Sequence, residues 1–154
     1  NANNANWIRF SNGDLDIKIG ETLSSNYRLG DQGTKPNFTF VNNNWYNIVI
    51  TRDSNFLIQA YANGLVDPNY TPLRLPKSGA TPVSFAPNTF GRKNTTYLDG
   101  IIDEVAIFDK ALTADQVKFD LYEPTALVGG VEKTADIENN TNLPTPVAWY
   151  RMGD

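Results

Sequence analysis

Residues 45–64 read WYNIVITRDSNFLIQAYANG, and this stretch decides the fold class. From Trp45 to Arg52 the chain alternates, with Tyr46, Ile48 and Ile50 on one side and Trp45, Asn47, Val49 and Thr51 on the other. A period of two marks a strand, because successive side chains leave a pleated backbone on opposite faces. The residue types agree, since β-branched and aromatic side chains suit a half-buried pleat. Asp53-Ser54-Asn55 supplies short polar side chains that bond their own backbone, hence a turn. Phe56–Tyr61 is a second strand, and Asn63-Gly64 tolerates the two positive φ angles of a type I′ hairpin turn. Leu65-Val66 begins the return. With no room for crossover helices, the expectation is an antiparallel meander.

Working outward, Trp7–Phe10 and Leu15–Ile19 flank Asn12-Gly13 and read as another hairpin. Tyr27–Leu29 is a short strand, and Phe38–Val41 leads through an Asn42–Asn44 turn into the central stretch. Residues 67–88 carry Pro68, Pro72, Pro76, Pro82 and Pro87. Proline offers no donor to a ladder, so this segment is expected to run over a surface or along a sheet edge. Phe90-Gly91-Arg92 re-enters the fold and Asn94–Thr96 turns it. Tyr97–Phe108, YLDGIIDEVAIF, is expected as one strand with apolar residues on both faces, an inner strand covered on both sides. Asp103 and Glu104 on such a strand need partners, and Arg92 and Lys93 are candidates. Thr113 with Gln116 forms a capping box, Leu112 and Val117 form a hydrophobic staple, and the helix ends by Glu123, which precedes Pro124. Residues 124–145 read as a linker or extended strap, and Val147–Arg151 as a further strand.

The chain has 154 residues, a net charge of −4 and neither cysteine nor histidine. That length suits one domain able to bury about 68–70% of its unfolded surface. Thiol and imidazole catalysis and Cys/His zinc sites are excluded, leaving oxygen-ligated hard cations as the admissible metals. A negative balance gives a phosphate backbone no general attraction, so nucleic acid is not an expected partner. No apolar run reaches the ~18 residues of a membrane-spanning helix, so membrane insertion is not expected either. The chain opens on Asn1, and its only methionine is Met152, as in a processed protein or a segment of a longer one.

Together, NNNWYNIVITRDSNFLIQAYANG, TFGRK and YLDGIIDEVAIFDKALTADQV resemble the laminin-G-like, concanavalin-A-like lectin/glucanase group. The matching positions are Trp45, Arg52, Asp53, Tyr61, Asn63, Gly64, Gly91, Arg92, Asp99, Gly100, Asp103, Glu104, Val105, Leu112 and Val117. The resemblance implies an all-β, two-sheet antiparallel jelly-roll sandwich with one short helix near 114–122. It implies a laminin-G-like unit over 1–123, a linker or strap over 124–145 and a further strand over 146–154. Only 44 residues precede Trp45, fewer than in the family, so part of the first sheet is expected to be missing. PVAWYRMGD resembles the opening of such a domain, as in tandem-domain phage and virus surface proteins.

Glucanase members of this group carry carboxylates on one strand face, about 5–5.5 Å apart in retaining enzymes. Asp103 and Glu104 are adjacent and fall on opposite faces of a strand, so no catalytic residues are assigned and a non-enzymatic role is expected. A calcium site could draw on Asp14, Asp16, Asp31 and Asp99, but their spacing is not that of an EF-hand, so the metal question stays open and no cofactor is required. Of the aromatics Trp7, Tyr27, Tyr70, Tyr97, Trp149 and Tyr150, most suit core or cross-strand positions. Tyr70 and Tyr97 lie beside loops and are the candidate ligand-binding residues. Trp45, Arg52, Asn63, Gly64, Arg92, Gly100, Asp103 and Glu104 are assigned to the structural motif. Gly91-Arg92-Lys93 is a small basic spot, and the sequons at Asn37, Asn69, Asn94 and Asn139 are common in so Asn- and Thr-rich a chain. The expected role is a structural or adhesion module of a virus (phage) particle, at the virion surface, with other virion subunits or copies of itself as partners. The alternative is a secreted or surface glycan-binding module recognising cell-surface glycans.

Overall fold

The structure is a computed structural model that describes residues 7–11, 14–18, 27–29, 40–66, 73–74, 89–93, 95–125 and 135–152. Every strand pair in it is antiparallel. β1 (Trp7–Ser11) pairs with β2 (Asp14–Lys18), and β2 with β3 (Tyr27–Leu29). Ser11 stands opposite Asp14 at the end of this ladder, and the expected turn at Asn12-Gly13 lies outside the described residues.

The central stretch forms β4 (Ile48–Arg52) and β5 (Leu57–Ala62), then β6 (Leu65–Val66). Between β4 and β5, Asp53 Oδ1 accepts the backbone N–H groups of Asn55 and Leu57, both at 2.8 Å. Between β5 and β6, Asn63 and Gly64 take φ of 51° and 72°, as a type I′ turn requires. β4 begins three residues later than its alternation suggests. Residues 45–47 lie before the ladder, where Asn47 N–H donates to Asn63 Oδ1 and its carbonyl accepts Asn63 N–H. Trp45 is left exposed. Phe40 and Val41 are likewise outside any strand: Val41 N–H donates to Tyr46 Oη at 2.7 Å, closing a loop around Asn43.

β5 is the centre of its sheet. β4 lies along one edge, while β6 and β7 (Leu73–Arg74) share the other. β7 belongs to the proline-bearing segment, which therefore runs along a sheet edge at this point. One face of β5 is buried along Ile58, Ala60 and Ala62, while on the other Tyr61 is buried, Gln59 is half-buried and Leu57 is exposed.

The expected single strand over Tyr97–Phe108 is broken. β8 (Arg92–Lys93) and β9 (Thr96–Tyr97) form a tight hairpin, and β10 (Val105–Ile107) is separate. The break has a local cause. Asp103 Oδ1 accepts Glu104 N–H at 2.9 Å, and Glu104 takes a φ of 51°, which no strand residue adopts. Ile101 consequently points to solvent, 77% exposed, rather than sharing a covered face with Val105.

Thr113 and Gln116 form the reciprocal capping box, with Thr113 N–H to Gln116 Oε1 at 2.9 Å and Gln116 N–H to Thr113 Oγ1 at 3.2 Å. Leu112 and Val117 beside it are buried. The helix over Gln116–Tyr122 has π geometry and passes into a 3₁₀ turn at Glu123–Thr125. Glu123 is therefore helical (φ −61°, ψ −33°), contrary to the stop expected before Pro124. Its N–H reaches back five residues to Lys118 O, and Pro124, lacking an N–H, cannot extend that pattern.

Residues 135–143 then cross the helix, and β11 (Ala148–Tyr150) pairs with β10. Among the described residues a core joins Tyr61, Leu112, Val117, Leu121, Ala135, Ile137 and Leu143, with Val49, Ala106, Phe108 and Trp149 packed on its edge. Among the described residues, no helix is long and apolar enough to cross a membrane.

Candidate functional site

The polar centre of the described structure is the Asp103–Glu104 bend. Because Asp103 caps the Glu104 N–H, the bend arises within the dipeptide, and it sends both carboxylates toward β11 and the residues after it. Glu104 Oε2 accepts Trp149 Nε1–H at 2.6 Å, and Glu104 Oε1 accepts Arg151 Nε–H at 3.3 Å. Asp103 Oδ1 also accepts Met152 N–H at 3.3 Å. Trp149 and Arg151 are two residues apart on an extended segment and so share a face, which lets one carboxylate hold both. The Arg151 guanidinium also lies 5.1 Å over the Trp149 ring, within cation–π range.

Glu104 is thus held by Trp149 and Arg151 rather than by Arg92, and the side chain of the other expected partner, Lys93, is outside what the structure describes. Arg92 instead stands exposed in β8, opposite Tyr97 of β9. Sequence reasoning missed this clamp because its partners lie 45 and 47 positions apart.

A second feature is a set of exposed apolar side chains. Tyr97 is 70% exposed, and Phe90, Leu98, Ile101, Tyr150 and Met152 are also exposed. Leu98 N–H donates to Gly91 O at 2.7 Å, and the Phe90 and Tyr150 rings meet at 5.6 Å, so the hairpin leans on β11. Gly100 lies against Leu98.

The other assigned residues lie elsewhere. Trp45 precedes β4, Arg52 ends it with its guanidinium 5.8 Å over the Phe56 ring, and Asn63-Gly64 turns the β5–β6 hairpin. Tyr70 lies outside the described residues, as do Asp31 and the sequons at Asn37, Asn69 and Asn94. Trp7, Asp14, Asp16 and Tyr27 sit in β1, β2 and β3. Asp99 is exposed, and among the described residues no three acidic side chains gather as a metal site would need. At the remaining sequon, the Asn139 amide donates to Asp136 and, with the Asn139 backbone N–H, holds that carboxyl below its usual range.

A family model described as concanavalin A-like lectin/glucanases superfamily, Laminin_G_3, matches residues 1–118. The chain belongs to this superfamily. The resemblance carried by Trp45, Asn63-Gly64 and the Asp103-Glu104 segment is thereby established, as are antiparallel sheets with one helix. Among solved structures, the chain is similar to residues 221–444 of an S-layer domain-containing protein from Clostridium thermocellum, at 22% identity and a TM-score of 0.34. That match covers 75% of this chain, which spans 56% of the solved one. No curated protein matches the sequence. The lectin/glucanase match stops at Lys118, inside the helix, whereas the core continues through Leu121, Ala135, Ile137 and Leu143.

Proposed function

We infer that this superfamily member is a non-enzymatic contact module, a two-sheet jelly roll serving as a structural or adhesion subunit of a virus particle, such as a phage capsid decoration or fibre. The observation that carries the non-enzymatic reading is the engagement of Asp103 and Glu104. The two carboxylates nearest in sequence to a glucanase pair accept hydrogen bonds from the chain's own Trp149, Arg151 and Met152. A general acid and a nucleophile must instead flank an open site on one face. The exposed apolar side chains around Tyr97 and Ile101 suit subunit contacts. In this reading the module sits at the virion surface, meets other virion subunits or copies of itself, and needs no cofactor, nucleic acid or membrane.

Mass spectrometry of gradient-purified particles tests this reading. The chain is expected at an abundance stoichiometric with the other structural proteins, and its absence from intact particles would refute the assignment. Hydrolysis of a β-glucan that Glu104→Gln abolishes would refute the non-enzymatic part. The second reading, a secreted or surface glycan-binding module with or without calcium, is favoured by one observation: Tyr97 offers a largely bare ring on a tight hairpin. Glycan-array binding lost in Tyr97→Ala would select it.

A further inference from the structure

We propose that Asn63-Gly64 is a modification site latched by the fold: deamidation of Asn63 waits on opening of the β5–β6 turn, and its isoaspartate product keeps the turn from closing again. The inference concerns the module itself and does not depend on what the module contacts.

An asparagine followed by glycine cyclises readily, because glycine has no side chain to shield its nitrogen. The chain has two such pairs, Asn12-Gly13 and Asn63-Gly64. In the reaction the deprotonated Gly64 nitrogen bonds to Asn63 Cγ, the Cγ–Nδ2 bond breaks, and Nδ2 leaves as ammonia. Water then opens the cyclic imide at one of its two carbonyls. One opening gives aspartate. The other gives isoaspartate, in which the main chain runs through the former side-chain carbons. The sequence of steps needs water and base, with no oxidant or reductant.

The folded turn opposes ring closure in two ways. Attack requires the Asn63 side chain to swing Cγ over the Gly64 nitrogen, but Asn63 Oδ1 accepts the Asn47 backbone N–H at 2.9 Å. The main chain is pinned at the same place, where Asn63 N–H donates to Asn47 O at 2.8 Å. With φ of 51° and 72°, both residues are fixed in the left-handed region by the hairpin, so their backbone does not reorient while the turn is closed. Access is restricted as well. Gly64 is buried, and Tyr122 covers it so closely that a Cβ there would stand 2.7 Å from Tyr122 Cδ1. A base must take the Gly64 proton before the nitrogen can attack, and burial withholds it.

The same contact makes the change one-way. Isoaspartate lengthens the main chain by one carbon beside a residue that lacks room for a single Cβ. Tyr122 lies on the helix that places Val117 and Leu121 in the core, so its ring yields only if that helix moves. Aspartate, by contrast, keeps the oxygen that the Asn47 N–H needs and adds no main-chain atom.

The full chain is held at mildly alkaline pH in buffer, in a series of sub-denaturing urea concentrations and in denaturing urea. Trypsin then releases residues 53–74 in one peptide and 10–18 in another, and mass spectrometry with fragmentation locates each deamidated asparagine. Asn12 in denaturing urea gives the intrinsic rate of an Asn-Gly pair. Deamidation at Asn63 is expected at least about tenfold slower in buffer than in denaturing urea, because only the open fraction reacts. Across the urea series it should rise in step with amide exchange at Asn63, whose N–H is held by Asn47 O. A rate in buffer within about twofold of the denatured rate overturns the gate, as does a rate that ignores Asn63 exchange. The isoaspartate chain is then separated and its amide exchange at Val117 compared with wild type and with Asn63→Asp. Faster exchange by at least about tenfold is expected in the isoaspartate chain alone. Unchanged exchange there overturns the latch, and so does equal acceleration in Asn63→Asp, which would assign the effect to charge and not to the lengthened main chain.

Discussion

Replacing Glu104 by glutamine tests whether the bend is a clamp. Glutamine keeps the length and one acceptor oxygen but removes the charge, so Trp149 Nε1–H retains a neutral hydrogen bond and Arg151 loses its ion pair. A hydrogen bond to a charged group contributes about 1.5–3 kcal/mol and a neutral one about 0.5–1.5, so the Trp149 bond should weaken by about 1 kcal/mol. The Arg151 pair is half exposed, with side-chain exposures of 48% for Arg151 and 18% for Glu104. Solvent screening therefore limits it to about 0.2–1 kcal/mol. The sum is about 1–2 kcal/mol, or a Tm lower by about 2–8 °C for a chain of this size. Urea denaturation of wild type, Glu104→Gln, Trp149→Phe and the double variant closes a cycle that isolates the Glu104–Trp149 term. Coupling of about 1 kcal/mol or more is expected, with faster amide exchange at Val147, whose N–H bonds Ile107 O. Additivity within about 0.3 kcal/mol, with unchanged exchange at Val147, would sink the clamp.

Three further outcomes follow from the same packing. Gly64→Ala should destabilise by about 2–4 kcal/mol in urea denaturation, because a positive φ adds to a collision in a packed site. A Cβ there would stand 2.7 Å from Tyr122 Cδ1, whereas at Gly91, also at positive φ, it meets only Ile102 Cδ1 at 3.4 Å, so Gly91→Ala should cost visibly less. Thr113→Ala removes one arm of the capping box and should cost about 1 kcal/mol by thermal denaturation, an effect that Thr113→Ser should largely avoid. Burial raises the pKa of Tyr61 above its ordinary 10.0, against a smaller lowering by the Thr51 hydrogen bond. The unfolded chain therefore loses this proton first, so the stabilisation is complete below pH 10 and fades as pH rises through the folded value. Tyr61→Phe should flatten that alkaline decline in a stability–pH profile, and an unaltered profile would count against it.

What could be read from the sequence was decided within a few residues. Asn63-Gly64 carries its conformation in its own chemistry, and Thr113 with Gln116 satisfies its own donors, so both were found where expected. The Tyr97–Phe108 segment departs from its hydrophobic alternation for an equally local reason: Asp103 caps its neighbour and turns the chain at Glu104. The helix end shows the limit of a preference. A residue before proline is disfavoured in the αR region, not barred from it, and a five-residue hydrogen-bond reach carried Glu123 into helical geometry. The partners of Glu104 were out of view because they belong to the far end of the chain. Neither Trp149 nor Arg151 carries a local mark of what it will meet. Tyr97 was expected beside a loop and is so placed, but exposure alone does not name its ligand.

The helix at Gln116–Tyr122 also bears on how this molecule can be divided. The stretch shared with its superfamily closes at Lys118, one residue after Val117, which has no exposed surface. Excision at that boundary would sever the helix between Val117 and Leu121 and strip Ile137 and Leu143 from the Tyr61 face. Similarity thus marks the part of the chain with recognisable ancestry, while the part that must travel together in any fusion, graft or truncation extends at least to Met152.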